Sequence, residues 1–414
     1  MILKKIFQLI DKNSLFLLIL LIFSNESLLF GTNINKNFVA LQWIVLFLIF
    51  IILFLKIFLK RKLEKRTFVI CIVFTILSLL GGLLIDNSEF IRCLYEIIII
   101  FIAMMYTNLV SYSFFCNSYI NAMILISIFS WIPYLINIFI PSISSKFPII
   151  VSTAKCRFYN MFIGVVPINE NYNSIYRNYS FFREPGVFAV FIFFAMILVI
   201  FSDKFKEKKI WILLLLFITI ISTLSTAGTI ISLFLLLLYL ILEKKHSKKL
   251  ISFVAFSIIV FIVFNSTNIS SRIFGKLFVE NNPSTMSRIN SFSSNFMIGI
   301  ENPVLGVGWG NINTKFQDKS YELLGSPMKY GENSFHNTNT FLRLLSTHGI
   351  LYFVIFCIGM YGFVFKFSKK TSLCFILFLL IILATSNENL TLNVFIYIFM
   401  MYGYSTYTKL RGIV

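Results

Sequence analysis

Long apolar runs alternate with short polar links along most of this chain, each run close to the roughly 20 residues that a membrane-crossing helix needs. The runs predict helices over residues 14–30, 38–59, 67–85, 92–110 and 119–140, then over 186–202, 210–227, 228–242 and 250–266, and finally over 341–365, 371–386 and 390–404. Asn25 and Glu26 interrupt the first. Pro133 falls inside the fifth, where neighbouring helices can satisfy the carbonyl that proline frees. About twelve crossings follow, so the expected fold class is all-α: a polytopic membrane protein forming a single integral membrane domain over residues 1–414.

Two polar stretches break the pattern, residues 141–185 and 268–340. They read as two long extracytoplasmic loops. In the second, Ile289, Phe292, Phe296 and Ile300 recur at spacings of three and four. That spacing predicts an amphipathic helix whose apolar face lies on the helix bundle.

Charge supplies the orientation. The runs KRKLEKR (60–66), DKFKEKK (203–209), EKKHSKK (243–249) and KFSKK (366–370) all fall on one side of a twelve-helix arrangement, and both long loops fall on the other. An excess of Lys and Arg marks the cytoplasmic side. The expectation is a multi-pass protein of the cytoplasmic (inner) membrane with both termini cytoplasmic. The N-terminus begins like a signal peptide, but Ser24-Asn25-Glu26-Ser27 stands where small residues would mark cleavage, so the first helix is expected to stay uncleaved.

Composition agrees: 58% hydrophobic and 13% charged residues exclude a soluble domain. The net charge of +19 is no sign of nucleic acid, because most of the Lys and Arg sit in the orienting runs. Six scattered cysteines without a CxxC pair argue against a disulfide framework or a thiolate zinc site.

The candidate chemistry lies in the two loops. Arginine binds phosphate bidentately and keeps its charge. Arg177, Arg183, Arg272, Arg288 and Arg343 are therefore candidates for an anionic ligand at the membrane surface, each with a structural ion pair as its alternative. Glu184 precedes Pro185 at a helix start, where it either complements the helix dipole or serves as a base beside Arg183. His336, next to Asn337, can act as a general base near neutral pH or simply cap the turn into the following helix. His336 and His348 are twelve residues apart, which does not fit a metal pair one helical turn apart, and His246 lies among lysines; no metal is expected. GVGWG (306–310) has no preceding strand and no following Lys-Ser/Thr, which excludes a phosphate-binding loop of Walker type and leaves a turn closing the helix before it.

Several of these stretches resemble a known family. SRINSFSSNFMIGIENPVLGVGWGNI (287–312) and FHNTNTFLRLLSTHGI (335–350), with His336, Asn337 and Gly349 in register, are similar to the arginine–helix–glycine-turn block and the His-Asn element of the O-antigen ligase and polymerase superfamily. FFREPGVFAV (181–190) resembles the Arg-x-Glu-Pro-Gly entry of polysaccharide polymerases. TLSTAGTIISL (223–233) stands at the family's helix junction, but Thr226 replaces its arginine. The resemblance implies a GT-C-like fold and a metal-independent, cofactor-free glycosyltransferase acting on lipid-linked sugars outside the cytoplasmic membrane. His336 would be the base, with Glu184 as the alternative, and Arg288 would stabilise the pyrophosphate leaving group. Arg177, Arg183, Arg272, Asn337 and Arg343 would bind substrate. The implied partners are undecaprenyl-pyrophosphate-linked oligosaccharides, the lipid bilayer, a chain-length regulator and a flippase. Three functions stay open: a polymerase of repeat units, a ligase passing finished chains to lipid A-core, and, from another class, a flippase or other transporter.

Overall fold

A computed structural model describes residues 11–29, 36–60, 63–84, 90–152, 156–168, 176–243, 283–325, 336–368 and 370–406. The expected helix over 250–266 and Arg272 lie outside them. The described helices are α1 (Lys12–Ile22), α2 (Lys36–Lys60), α3 (Lys65–Leu84), α4 (Phe90–Leu109), α5 (Tyr112–Phe139), the single turn α6 (Pro141–Ser144), α7 (Pro185–Phe201), α8 (Lys209–Ser222), α9 (Thr226–Leu242), α10 (Pro283–Glu301), α11 (Gly308–Leu324), α12 (Thr340–Phe365), α13 (Thr371–Thr385) and α14 (Val394–Tyr404). Five contain stretches long and apolar enough to cross a membrane: Leu41–Lys60, Lys65–Leu83, Phe90–Leu109, Tyr112–Phe139 and Thr340–Phe365. Six more are apolar but shorter. The chain is a mostly helical multi-pass membrane protein.

The fold departs from all-α in the first polar stretch. Strands β1 (Ile149–Val151), β2 (Arg157–Asn160) and β3 (Val165–Pro167) form an antiparallel sheet in the order β1-β2-β3. Its residues are mostly β-branched or aromatic, which favours strands, and three-residue strands give too short an alternation to be read from sequence. Helix ends also shift. The expected helix over 210–227 stops at Ser222, because Leu224 adopts a left-handed φ of 51° and the Ser225 side chain caps α9 by accepting from the Gly228 amide. The first helix stops at Ile22 rather than at 30, and the last begins at Val394, where Asn393 caps it.

The chain packs as two compact units, Met1–Leu46 with Ser113–Phe278, and Phe47–Tyr112 with Val279–Val414. In the first unit α7 is the core: every side chain from Val187 to Ile200 is buried, with α8 and α9 against it. In the second, α14 is buried along its length between α12 and α4.

The second unit contains a break that matters for the site. α12 is interrupted at Gly349, where φ is 82° and ψ is 179°. An unbroken helix would bond the Ile350 amide to the Ser346 carbonyl. Here the turn after α10 takes up both groups: Ser346 O accepts from Val307 N at 2.9 Å, and Ile350 N donates to Pro303 O at 2.7 Å. Gly306 and Gly349 both need positive φ, and a Cβ on either would collide with backbone of the other segment. The glycine turn read from GVGWG therefore does more than close α10; it completes the broken helix α12.

Candidate functional site

In the second unit, the face of α10 toward α12 is polar. Ser287, Ser291 and Asn295 follow at intervals of four and are buried at 5%, 0% and 0% exposure. They hold the segment that enters α12. The hydroxyls of Ser287 and Ser291 both donate to the His336 carbonyl, at 3.0 and 2.8 Å. Asn295 and Asn337 exchange two amide hydrogen bonds, at 2.9 and 3.1 Å. Asn295 also accepts from the Ser346 hydroxyl at 2.8 Å, and Ser291 Oγ accepts from the Thr338 amide at 2.9 Å. The His336 main chain is thus fixed while its side chain is exposed. Arg288 is half-buried on the same helix. Arg343 is buried: its guanidinium donates to Asn313 Oδ1 at 3.2 Å and lies 5.8 Å from the Trp309 ring centre.

Below the glycine turn lies a polar cluster that sequence reading passed over. Glu96 of α4 is fully buried. Its Oε1 accepts from the Tyr352 hydroxyl at 2.6 Å and the Tyr397 hydroxyl at 3.0 Å, and its Oε2 accepts from Ser78 Oγ and Trp309 Nε1, both at 3.0 Å. His348 Nε2 stands 3.0 Å from Oε1, with the imidazole stacked on Tyr352 at 4.3 Å. The cluster ties α3, α4, α12 and α14 to the start of α11. Its signal was present in sequence: an acidic residue inside an apolar run is expensive and therefore has partners.

The other candidates lie in the first unit. Residues 26–28 pair antiparallel with 181–183, through Leu28 N to Phe181 O at 2.8 Å and Arg183 N to Glu26 O at 2.7 Å. This pairing sets the Arg183 guanidinium on two carboxylates, Glu26 at 2.6 Å and Glu184 at 2.7 Å. Glu26 is buried in the turn after α1, and burial pushes its carboxyl above the usual range while the charge of Arg183 pulls it down. Glu184 takes the N-cap position of α7 without a capping hydrogen bond; its side chain is exposed and turned to Arg183. Arg177 donates from Nε to the Thr223 carbonyl at 2.9 Å and from a terminal nitrogen to Leu224 O at 3.5 Å. Its guanidinium therefore lies against the carbonyls that follow α8, close in sequence to Thr226, which stands where the similar family carries an arginine. Asn178 beside it donates to the hydroxyls of Ser130 and Ser222, both at 3.0 Å.

Arg288, His336, Asn337 and Arg343 thus belong to one compact unit, and Arg177, Arg183 and Glu184 to the other. Among the described residues no group of three or more His, Cys, Asp or Glu side chains is placed to hold a metal ion.

Residues 211–357 match the family model described as O-antigen ligase. The matched stretch runs from α8 into α12 and includes Arg288, His336, Asn337 and Arg343. It supports the resemblance to the O-antigen ligase and polymerase superfamily and a membrane enzyme of polysaccharide assembly. No curated protein and no solved structure matches the chain.

Proposed function

We propose that the chain is a membrane glycosyltransferase that joins undecaprenyl-pyrophosphate-linked oligosaccharide repeat units into a surface polysaccharide, on the outer side of the cytoplasmic membrane. The observation that carries this reading is the fixing of the His336–Asn337 element on the polar face of α10, within the family-matched stretch and on the helix that bears Arg288. A general base needs a fixed main chain and an accessible ring, and His336 has both. In the proposed reaction the imidazole takes the proton of the acceptor hydroxyl, the hydroxyl oxygen attacks the anomeric carbon, and the pyrophosphate leaves with both bonding electrons. Arg288 stabilises the charge that gathers on that leaving group without a metal. Arg343, expected from the resemblance to bind substrate, is buried against Asn313 and the Trp309 ring in the same compact unit. Arg177, Arg183 and Arg272 are proposed as further anion-binding groups, and Glu184 as the alternative base.

The test is complementation of a deletion strain, with surface glycolipids resolved on a gel. His336→Gln should lower polymer output by about two to four orders of magnitude with the protein still inserted. Arg288→Lys should recover little of what Arg288→Ala loses, because lysine lacks the bidentate fork. Single-repeat glycolipid in place of long chains supports the polymerase. Unattached long polymer with bare acceptor identifies a ligase, and loss of every lipid-linked product at the outer surface identifies a transporter. If His336→Gln keeps normal chain lengths while Glu184→Gln does not, Glu184 is the base. Orientation has its own test: alkaline phosphatase fused at Ser320 should be active and at Lys245 inactive.

A further inference from the structure

α10 is inside out. Its polar residues Asn290, Ser291, Ser294 and Asn295 are at most 1% exposed, whereas Ile289, Phe292, Phe296 and Ile300 are 53%, 56%, 45% and 56% exposed. The sequence expectation that this apolar row packs on the bundle is overturned: the bundle takes the serines and asparagines, because only they can satisfy the groups at 336–338 and the Ser320 hydroxyl. An exposed apolar row on a helix anchored through its polar face does not suit water. It suits lipid, which has no hydrogen bonds to offer.

Depth points the same way. The turn after α10 is bonded to α12 at Ile350, through Pro303 O. Residues 350–365 of α12 rise about 24 Å, at 1.5 Å per residue, before Lys366. The hydrocarbon layer is about 30 Å thick. With Lys366 at one surface, the Pro303–Ile350 junction lies within the layer, short of the opposite surface. The exposed row continues there onto the span: Val304 is 74% exposed, and Ile350, Leu351, Val354 and Ile358 on α12 are 45%, 54%, 43% and 55% exposed. Contacts of α10 with α12 and the segment that enters it then step from Gly299 at Leu345, through Asn295 at Ser346 and Ser291 at Thr338, to Ser287 at His336.

We propose that α10 is a membrane-embedded helix whose row of Ile289, Phe292, Phe296 and Ile300 lies against the acyl chains of the bilayer, continuous with the lipid-facing side of α12. This holds whatever reaction the protein performs. It makes His336 and Arg288 part of a membrane-facing element rather than of a loop standing in water.

The test uses the full chain in phosphatidylcholine–phosphatidylglycerol vesicles, with Cys156→Ser and Cys357→Ser to remove the native thiols that are not buried. Ile289→Cys, Phe292→Cys, Phe296→Cys and Ile300→Cys each carry a bimane label, and Lys315→Cys, exposed on α11, is the aqueous control. All the labelled side chains are exposed, so the fold should accept them. Lipids brominated on the acyl chain should quench the four labels about threefold or more over Lys315→Cys, most strongly at Ile300→Cys, and iodide should quench only the control. Iodide quenching of all four equal to the control would overturn the proposal. So would disulfide-linked dimers formed by Phe292→Cys or Phe296→Cys, which would make the occupant a second copy of the chain.

Discussion

Glu26 in the first compact unit and Glu96 in the second are both buried, and the two are neutralised in opposite ways. Glu26 meets a guanidinium: Arg183 at 2.6 Å, itself 22% exposed and shared with the exposed Glu184. Glu96 meets no lysine or arginine among its bonded neighbours; neutral hydroxyl and indole donors and one imidazole surround it. A buried charge must be compensated either by opposite charge or by enough aligned dipoles. The Arg183 pair keeps one partner in reach of solvent, so it can adjust when the other is lost. The Glu96 cluster is closed, and every donor in it is buried.

That contrast sets an order of effects. The largest should follow Glu96→Ala, which takes the acceptor from Ser78, Trp309 and one of the two tyrosines, the other being able to donate across the 2.9 Å between the Tyr352 and Tyr397 hydroxyls; each orphaned buried donor costs about 1–3 kcal/mol. Little folded protein should survive extraction, as read by gel filtration in detergent. Survival with a near-native melting point would mean that the carboxylate is dispensable there. Tyr397→Phe removes one donor from a carboxylate that keeps the others, and its melting point should fall far less.

Arg183→Ala comes next, at about 3–5 kcal/mol, because it strands the buried Glu26 carboxylate. Glu26→Ala should cost clearly less, since Arg183 keeps Glu184 and its own access to water. Equal losses would erase the asymmetry between rim and core. The pair also predicts a pH dependence. Burial raises the Glu26 carboxyl, with Arg183 lowering it in part. A carboxyl raised on folding stabilises the fold fully below its unfolded value and loses that contribution as pH climbs through its folded value. Removing Arg183 enlarges the rise and extends the loss to higher pH. Arg183→Ala should therefore melt closer to the native protein at about pH 5 than at about pH 8; a deficit independent of pH would show that Glu26 is not the group stranded.

The smallest effect belongs to Glu184→Gln. Its carboxylate is 51% exposed, and an exposed ion pair is worth about 0–1 kcal/mol. A melting point within a degree or two of the native protein is expected. A large fall would mean that Glu184, not Glu26, is the main partner of Arg183.

By itself the sequence determined where most of the described apolar helices lie and that the chain belongs in a membrane, because apolar length is a local property that bilayer thickness converts directly into structure; the polar helix α11 gave no such signal. The sequence also marked the His336–Asn337 element and the glycine turn, whose residue types are demanded by local geometry: positive φ at Gly306 and Gly349. Tertiary structure decided the rest. Glu96 lies 213, 256 and 301 residues from Trp309, Tyr352 and Tyr397, and no local pattern links positions so far apart. Glu26 and Arg183, 157 residues apart, meet only because residues 26–28 pair with 181–183. The facing of α10 was hidden for a different reason. Its spacing of apolar residues gives a stripe but not a direction, and whether a stripe turns inward or outward depends on what the opposite face must bond. In α10 that face carries the serines and asparagines that hold His336 and Asn337, so the apolar row is the side left for the solvent around it.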